Sequence, residues 1–164
     1  MAVTYEPIAS TTLVSTAATV AFNAISGAYT DLILVLNGGN ATGNYATAFR
    51  FNGDTGSNYS VTRLYGNGTS ANSDRASNQS YIYLLAAGQN NLNGVQIINI
   101  QNYSNSTTYK TTLSRSNTAG GTVGAEVGLW RSTAAITSIV LAPEFTQNWL
   151  SGTTFTLYGI LKAA

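Results

Sequence analysis

The chain has 164 residues, enough for one domain with a buried core. Charged residues make up only 8% of it and the formal net charge is +1, so no long-range field steers nucleic acid or an anionic membrane toward it. Cysteine and histidine are absent, which excludes disulfides, zinc-thiolate sites, thiol nucleophiles, Ser-His-Asp arrangements and a histidine base.

Hydrophobic residues reach an ordinary 44%, with ten tyrosines, so the low charge does not signal disorder. Ser, Thr, Asn and Gly stand where charge is missing, and these are the residues of short strands and tight turns. Such a surface is polar but nearly uncharged, and it repels neighbouring copies little. Met1 to Ser10 carries Glu6 and Pro7 and no basic segment leading into an apolar one, so no secretory signal is read there. An initiating Met1 and a strand running up to the C-terminus lead us to expect a complete small protein.

Period-two patterning dominates the chain, and no window reads as an amphipathic helix. Residues 1–12 are expected to form an N-terminal arm or edge strand, in which Val3, Tyr5 and Ile8 would add to a neighbour's sheet. Residues 13–164 then make one domain. Val20 and Phe22 begin an alternating strand, and Ser26-Gly27-Ala28 turns the chain toward Leu32-Ile33-Leu34-Val35-Leu36. That run is apolar on both faces and is expected as a central strand covered on each side; it is far too short to span a bilayer. Phe49 and Phe51 flank Arg50, and Val61, Leu64 and Tyr65 follow. Residues 66–80 are the longest polar stretch and are expected as an exposed loop. Strands then come at Tyr81–Leu85, Val95–Ile100 and Tyr109–Ser114.

In the next strand Val123, Ala125, Val127 and Leu129 share one face, and Gly124, Glu126, Gly128 and Trp130 the other. The two glycines leave room for something bulky from a neighbour. Ile136–Leu141 and Phe155–Leu161 complete a series of roughly ten strands, the pattern of an all-β, antiparallel sandwich of jelly-roll type. Pro7 and Pro143 both sit near strand ends, where a missing amide donor is tolerated.

The residues offer little for catalysis. A serine nucleophile needs a base beside it, and only Lys110 and Lys162 remain to supply one. The carboxylates Glu6, Asp31, Asp54, Asp74, Glu126 and Glu144 stand in no recognisable motif. Glu126, mid-strand among apolar residues, is expected to face solvent or a subunit neighbour, or to pair with Arg131 or Arg63. Asn52-Gly53-Asp54-Thr55-Gly56-Ser57-Asn58 has the alternating oxygens of a calcium loop, but with one carboxylate it reads better as turn chemistry. Asn-x-Ser/Thr triplets at Asn40, Asn58, Asn67, Asn78, Asn102 and Asn105 follow from the composition and carry no claim of glycosylation. Gly38-Gly39 and Gly120-Gly121 precede no helix and so no phosphate loop. Tyr81, Tyr83, Tyr103 and Tyr109 would form a sugar-binding platform if exposed, though core or interface is the commoner use. No catalytic residue, metal or cofactor is expected.

Five segments resemble small structural proteins of tailed bacteriophages, including cyanophages. They are Ile25–Leu32, Arg50–Asp54, Asn58-Tyr59-Ser60, Trp130–Ile136 and Phe155–Ile160. The resemblance covers most of the chain and implies a virion β-sandwich, as in capsid decoration proteins and in tail-fibre or receptor-binding domains. The shared positions look like turns and core, so no functional residue is carried over. The chain shows no stalk or heptads suited to a fibre. The expectation is therefore a decoration or cement protein on the capsid surface of the virion. It would bind the major capsid protein as a homo-oligomer, a trimer by preference, with no nucleic acid or membrane partner. A tail module binding a host glycan is the alternative.

Overall fold

In the computed structural model, residues 4–41, 46–86, 94–119 and 121–161 are described; Val3, Gly120 and Lys162 fall outside them. The described residues form twelve strands: β1 (Tyr5–Thr12), β2 (Val20–Phe22), β3 (Asp31–Gly38), β4 (Ala46–Phe51), β5 (Tyr59–Gly66), β6 (Ala71–Gln79), β7 (Ile82–Ala86), β8 (Gly94–Gln101), β9 (Lys110–Thr118), β10 (Val123–Trp130), β11 (Ile139–Pro143) and β12 (Thr154–Ile160). Every pairing is antiparallel. An eight-stranded sheet runs β1-β12-β3-β8-β9-β10-β5-β6, and a four-stranded sheet runs β2-β11-β4-β7. Early strands pair with late ones: β1 and β3 with β12, β2 and β4 with β11, β5 with β10. This nested return is the wrapping of a jelly roll.

Alternation explains the core. Leu32, Leu34 and Leu36 of β3, Ile98 and Ile100 of β8, and Phe155 and Leu157 of β12 point inward from the large sheet. Phe49, Phe51, Ile82, Leu84, Ile139 and Leu141 meet them from the small one. Phe51 and Tyr59 both lie against Trp130, with ring centroids 5.5 and 6.2 Å away.

Two strands beyond the expected ten appear. The stretch 66–80 is not a loop: only Asn67–Ser70 turns, with Asn67 Oδ1 accepting from the Thr69 and Ser70 amides. Residues 71–79 form β6, which pairs with β5 at the sheet's edge. Most of its residues are exposed, so no hydrophobic alternation marks it. The first segment is spent on its own sheet, with β1 pairing β12. Ile8 sits at the bulge in that pairing and packs against the core. Ile136 is buried but precedes its strand, which starts at Ile139.

The glycine face of β10 points inward. A Cβ on Gly124 would stand 2.4 Å from Leu85 Cδ1, and one on Gly128 2.7 Å from Ile82 Cδ1. The bulky neighbour is therefore this chain's own β7. The strand's apolar residues consequently face outward.

Candidate interaction face

With those registers the outer face of the eight-stranded sheet can be read row by row. Tyr158, Ile33, Asn99, Leu113, Val127 and Thr62 form one cross-strand row, with Thr156, Val35, Ile97, Arg115, Ala125 and Leu64 beside it. Val95, Val123, Leu129 and Ile160 flank these rows. Leu64, Leu113, Val123 and Val127 are 48 to 62% exposed. An antiparallel sheet with one covered face ordinarily alternates apolar-in with polar-out. Here β3, β8, β10 and β12 carry apolar residues on both faces. The expected central strand β3 is thus buried on its inner side, while Ile33 and Val35 are only partly covered on the outer.

A shallow groove of about 700 Å³ runs over this face. Ile33, Val35 and Ile97 floor it, Tyr158 stands on one side, and Leu113 and Arg115 on the other. Toward one end Tyr5 and Asn99 are joined by Asp31 and Gln101. By register, Asp31, Arg115 and Arg75 are the charged residues that β1, β12, β3, β8, β9, β10, β5 and β6 project outward among the described residues. The two sheet edges are poorly suited to adding a strand. β1 carries Pro7 beside a bulge, and β6 carries Asp74, Arg75 and a second bulge.

The other candidate residues serve the fold. Asp54 Oδ2 accepts from the Trp130 indole at 2.7 Å and from Asn58 Nδ2 at 2.9 Å, while Oδ1 accepts from the Gly56 amide. Burial works to raise this carboxyl, but the three donors outweigh it and hold it below the ordinary aspartate range. The 52–58 segment is thus a turn pinned to a core tryptophan, and no cluster of three or more metal-ligating side chains occurs among the described residues.

Lys110 is fully buried and donates to the carbonyls of Thr108 and Thr133. Burial lowers its pKa, but the acceptors it meets are these two carbonyls and not a serine. Asp74 binds Arg63 in a two-pronged ion pair, with both contacts at 2.7 Å. Glu144 Oε1 accepts from the Ala46 amide, and Asp31 Oδ1 from that of Asn102. Asn40 is buried, and Asn105, like Asn67, closes its own turn.

The four tyrosines part company. Tyr81 and Tyr83 lie edge to face at 6.0 Å, and Phe145 joins them 5.7 Å from Tyr81. The Arg50 guanidinium stacks 3.8 Å over the Phe145 ring. Tyr103 is buried with its hydroxyl donating to the Ser26 carbonyl, and Tyr109 is exposed elsewhere.

Glu126 contradicts the expectation most directly. It is fully buried on the inner face, facing neither solvent nor a neighbour. Arg63 is its register partner on β5 but is ion-paired with Asp74 instead. Glu126 Oε1 accepts from Ser116 Oγ at 2.7 Å and from the Leu85 amide at 3.1 Å. Burial pushes the carboxyl up, and these two bonds together with the Arg63 charge only partly oppose it.

No family model and no curated protein matches this chain. Among solved structures, the galectin LEC-6 of Caenorhabditis elegans is similar over 87% of this chain and 90% of its own. The identity is 11% and the TM-score 0.35. At that score the likeness carries no argument about what this chain binds.

Proposed function

We propose that the chain is a non-catalytic structural protein of a phage particle, most specifically a capsid decoration protein. It docks on the major capsid protein through the outer face of its eight-stranded sheet and associates with further copies, a trimer being the preferred assembly. The single observation that supports this reading is the uncovered apolar face centred on Ile33, Ile97, Leu113 and Val127. Contiguous exposed apolar residues of this kind mark surfaces that a partner covers. The blunted edges of β1 and β6 direct association to the face. The segment resemblance to virion proteins supplies the class of partner.

The test is re-addition of purified protein to phage particles lacking it, followed by sedimentation and a measurement of particle heat resistance. Wild-type protein is expected to co-sediment at a copy number in the hundreds and to raise heat resistance. A Leu113→Lys, Val127→Lys double variant that keeps its melting temperature is expected to do neither. Undiminished binding by that variant would overturn the assignment of the face. Loss of adsorption without loss of capsid resistance in particles lacking the protein would overturn the decoration role.

A second reading, a host-glycan module, is favoured by one observation. Tyr5 and Tyr158 stand in the groove with Asn99, Asp31 and Gln101, a mixture of ring faces and polar groups suited to a sugar. A glycan array with no binding at millimolar concentration removes this reading.

A further inference from the structure

β7 is the last strand of the four-stranded sheet and, among the described residues, pairs with β4 alone. A bulge interrupts that pairing. Leu84 faces Thr47 and Ala86 faces Ala46, so Leu85 is left outside the ladder. A buried, unpaired peptide group is costly, and side chains from the opposite sheet supply what is missing. The Leu85 amide donates to Glu126 Oε1 at 3.1 Å, and its carbonyl accepts from Gln96 Nε2 at 2.7 Å. Two side chains of the large sheet thereby act as a surrogate strand beside β7. Leu85 in turn fills the space over Gly124.

The second oxygen of Glu126 identifies the form of the acid. Oε2 is buried and has no hydrogen-bond partner; the same holds for Ser114 Oγ and Gln96 Oε1. Ser114 lies directly across from Glu126 in the β9–β10 register. An ionised carboxylate would place charge on a fully buried group whose Oε2 meets no donor of the fold, an expensive arrangement. A protonated one places no charge on Oε2 and leaves Oε1 to accept from Leu85 and Ser116.

The groups facing this site complete the case. Ser114 and Ser116 on β9 and Gln96 on β8 carry no charge. Arg63 on β5 is neutralised by Asp74 on β6 and stacks 4.4 Å over the ring of Tyr83, the titratable group on β7. No unpaired cation among these facing groups holds Glu126 ionised.

We propose that Glu126 is a proton-operated latch. With the carboxyl protonated the β7 bulge stays fastened to the eight-stranded sheet; ionisation leaves a charge buried between the sheets, so the ionised form favours the open state in which the carboxylate reaches water and Leu85 is let go. The pKa of the folded carboxyl lies above that of the unfolded chain, so the folded state binds the proton more tightly. The latch is at full strength below the unfolded glutamate value and weakens as pH rises to the folded one.

The experiment is amide hydrogen exchange of the intact protein by NMR across pH. Protection is corrected for intrinsic exchange and referenced to Leu34 at the middle of β3. Relative protection of Leu85 is expected to fall about tenfold per pH unit between the two pKa values and then level off, as a one-proton linkage requires. Glu126→Gln keeps an oxygen for Leu85 and a nitrogen to donate, and is expected to hold protection flat with pH. A pH-independent Leu85 in the wild type, or the same slope in E126Q, would overturn the latch. If E126Q does not fold, the carboxyl carbon shift of Glu126 in the wild type decides. A titration midpoint of that shift above the ordinary glutamate value, about 4.3, supports the latch, and one at or below it refutes it.

Discussion

Alanine at Gly128 places one methyl group where β7 crosses β10, and its cost can be worked from the surroundings. The new Cβ would stand 2.5 Å from Thr112 Oγ1, 2.7 Å from Ile82 Cδ1 and 2.9 Å from Ile82 Cγ2. In an open strand the change would gain about 0.5–1 kcal/mol through reduced backbone entropy. Against this, overpacking of a tight core costs about 1–3 kcal/mol. Thr112 and Ile82 are both buried and all three contacts fall under 3.0 Å, so the upper part of that range, about 2–3 kcal/mol, applies; less a gain of about 1 kcal/mol, a net loss of about 1–2 kcal/mol is expected. In a domain of this size that lowers the melting temperature by roughly 2–8 °C.

Ile82→Val removes Cδ1, costs about 0.5–1.5 kcal/mol alone, and opens part of the room the methyl needs. The contacts to Cγ2 and Thr112 remain, so relief is partial. The double variant is expected to be more stable than the sum of the two losses by at least about 0.5 kcal/mol. Urea denaturation followed by circular dichroism on the four proteins of the cycle measures this. A Gly128→Ala protein as stable as wild type, or strict additivity in the cycle, would refute the packing of β7 on the β10 glycines.

Further expectations concern the pinned turn and its neighbour. Asp54→Ala leaves the buried Trp130 indole N–H without an acceptor and is expected to cost about 2–4 kcal/mol in urea unfolding. Its carboxyl is held low in the folded state, so wild-type stability should drop as pH falls below the ordinary aspartate value, about 3.9. The Asp54→Ala variant should lack that component of the acid transition, and identical acid profiles would count against it. Asn52 adopts φ +53° and its side chain bonds the 135–138 segment at three backbone atoms. Asn52→Ala is expected to be less stable than Asn52→Gly by about 1 kcal/mol in thermal melts, because only glycine meets that φ without strain.

Much of the sandwich was legible in the chain because burial on one face writes a period of two into the sequence. β2 and β4 show it plainly, with Val20 and Phe22, and Phe49 and Phe51 on either side of Arg50, at inward positions. β6 was not legible: at the sheet's edge it buries little on either face, so Ala71–Gln79 reads as a polar loop while its backbone pairs with β5. β10 gave the right two faces but the wrong orientation. Gly124, Glu126 and Gly128 look like an outward set, yet they are inward because Ile82 and Leu85 occupy the space above them. No local pattern announces such a cross-sheet partner. The same holds for Asp54, whose decisive hydrogen bond comes from Trp130, far along the chain. The interaction face was half legible, since the two-sided apolarity of Leu32–Leu36 was visible but the covering layer it implied is not supplied by the described residues.

The Arg63–Asp74 pair is the one salt bridge formed among the described residues, while amide and hydroxyl side chains do much of the cross-linking elsewhere. Cohesion of that kind is nearly blind to ionic strength, because screening acts on charges and leaves neutral hydrogen bonds and buried hydrocarbon as they were. What dissolved salt governs instead is the outer sheet face. Excluded salts such as sulfate strengthen the covering of apolar surface. The fold should therefore melt at much the same temperature in dilute and moderately saline buffer, while the protein's attachment to whatever covers that face tightens as sulfate is added.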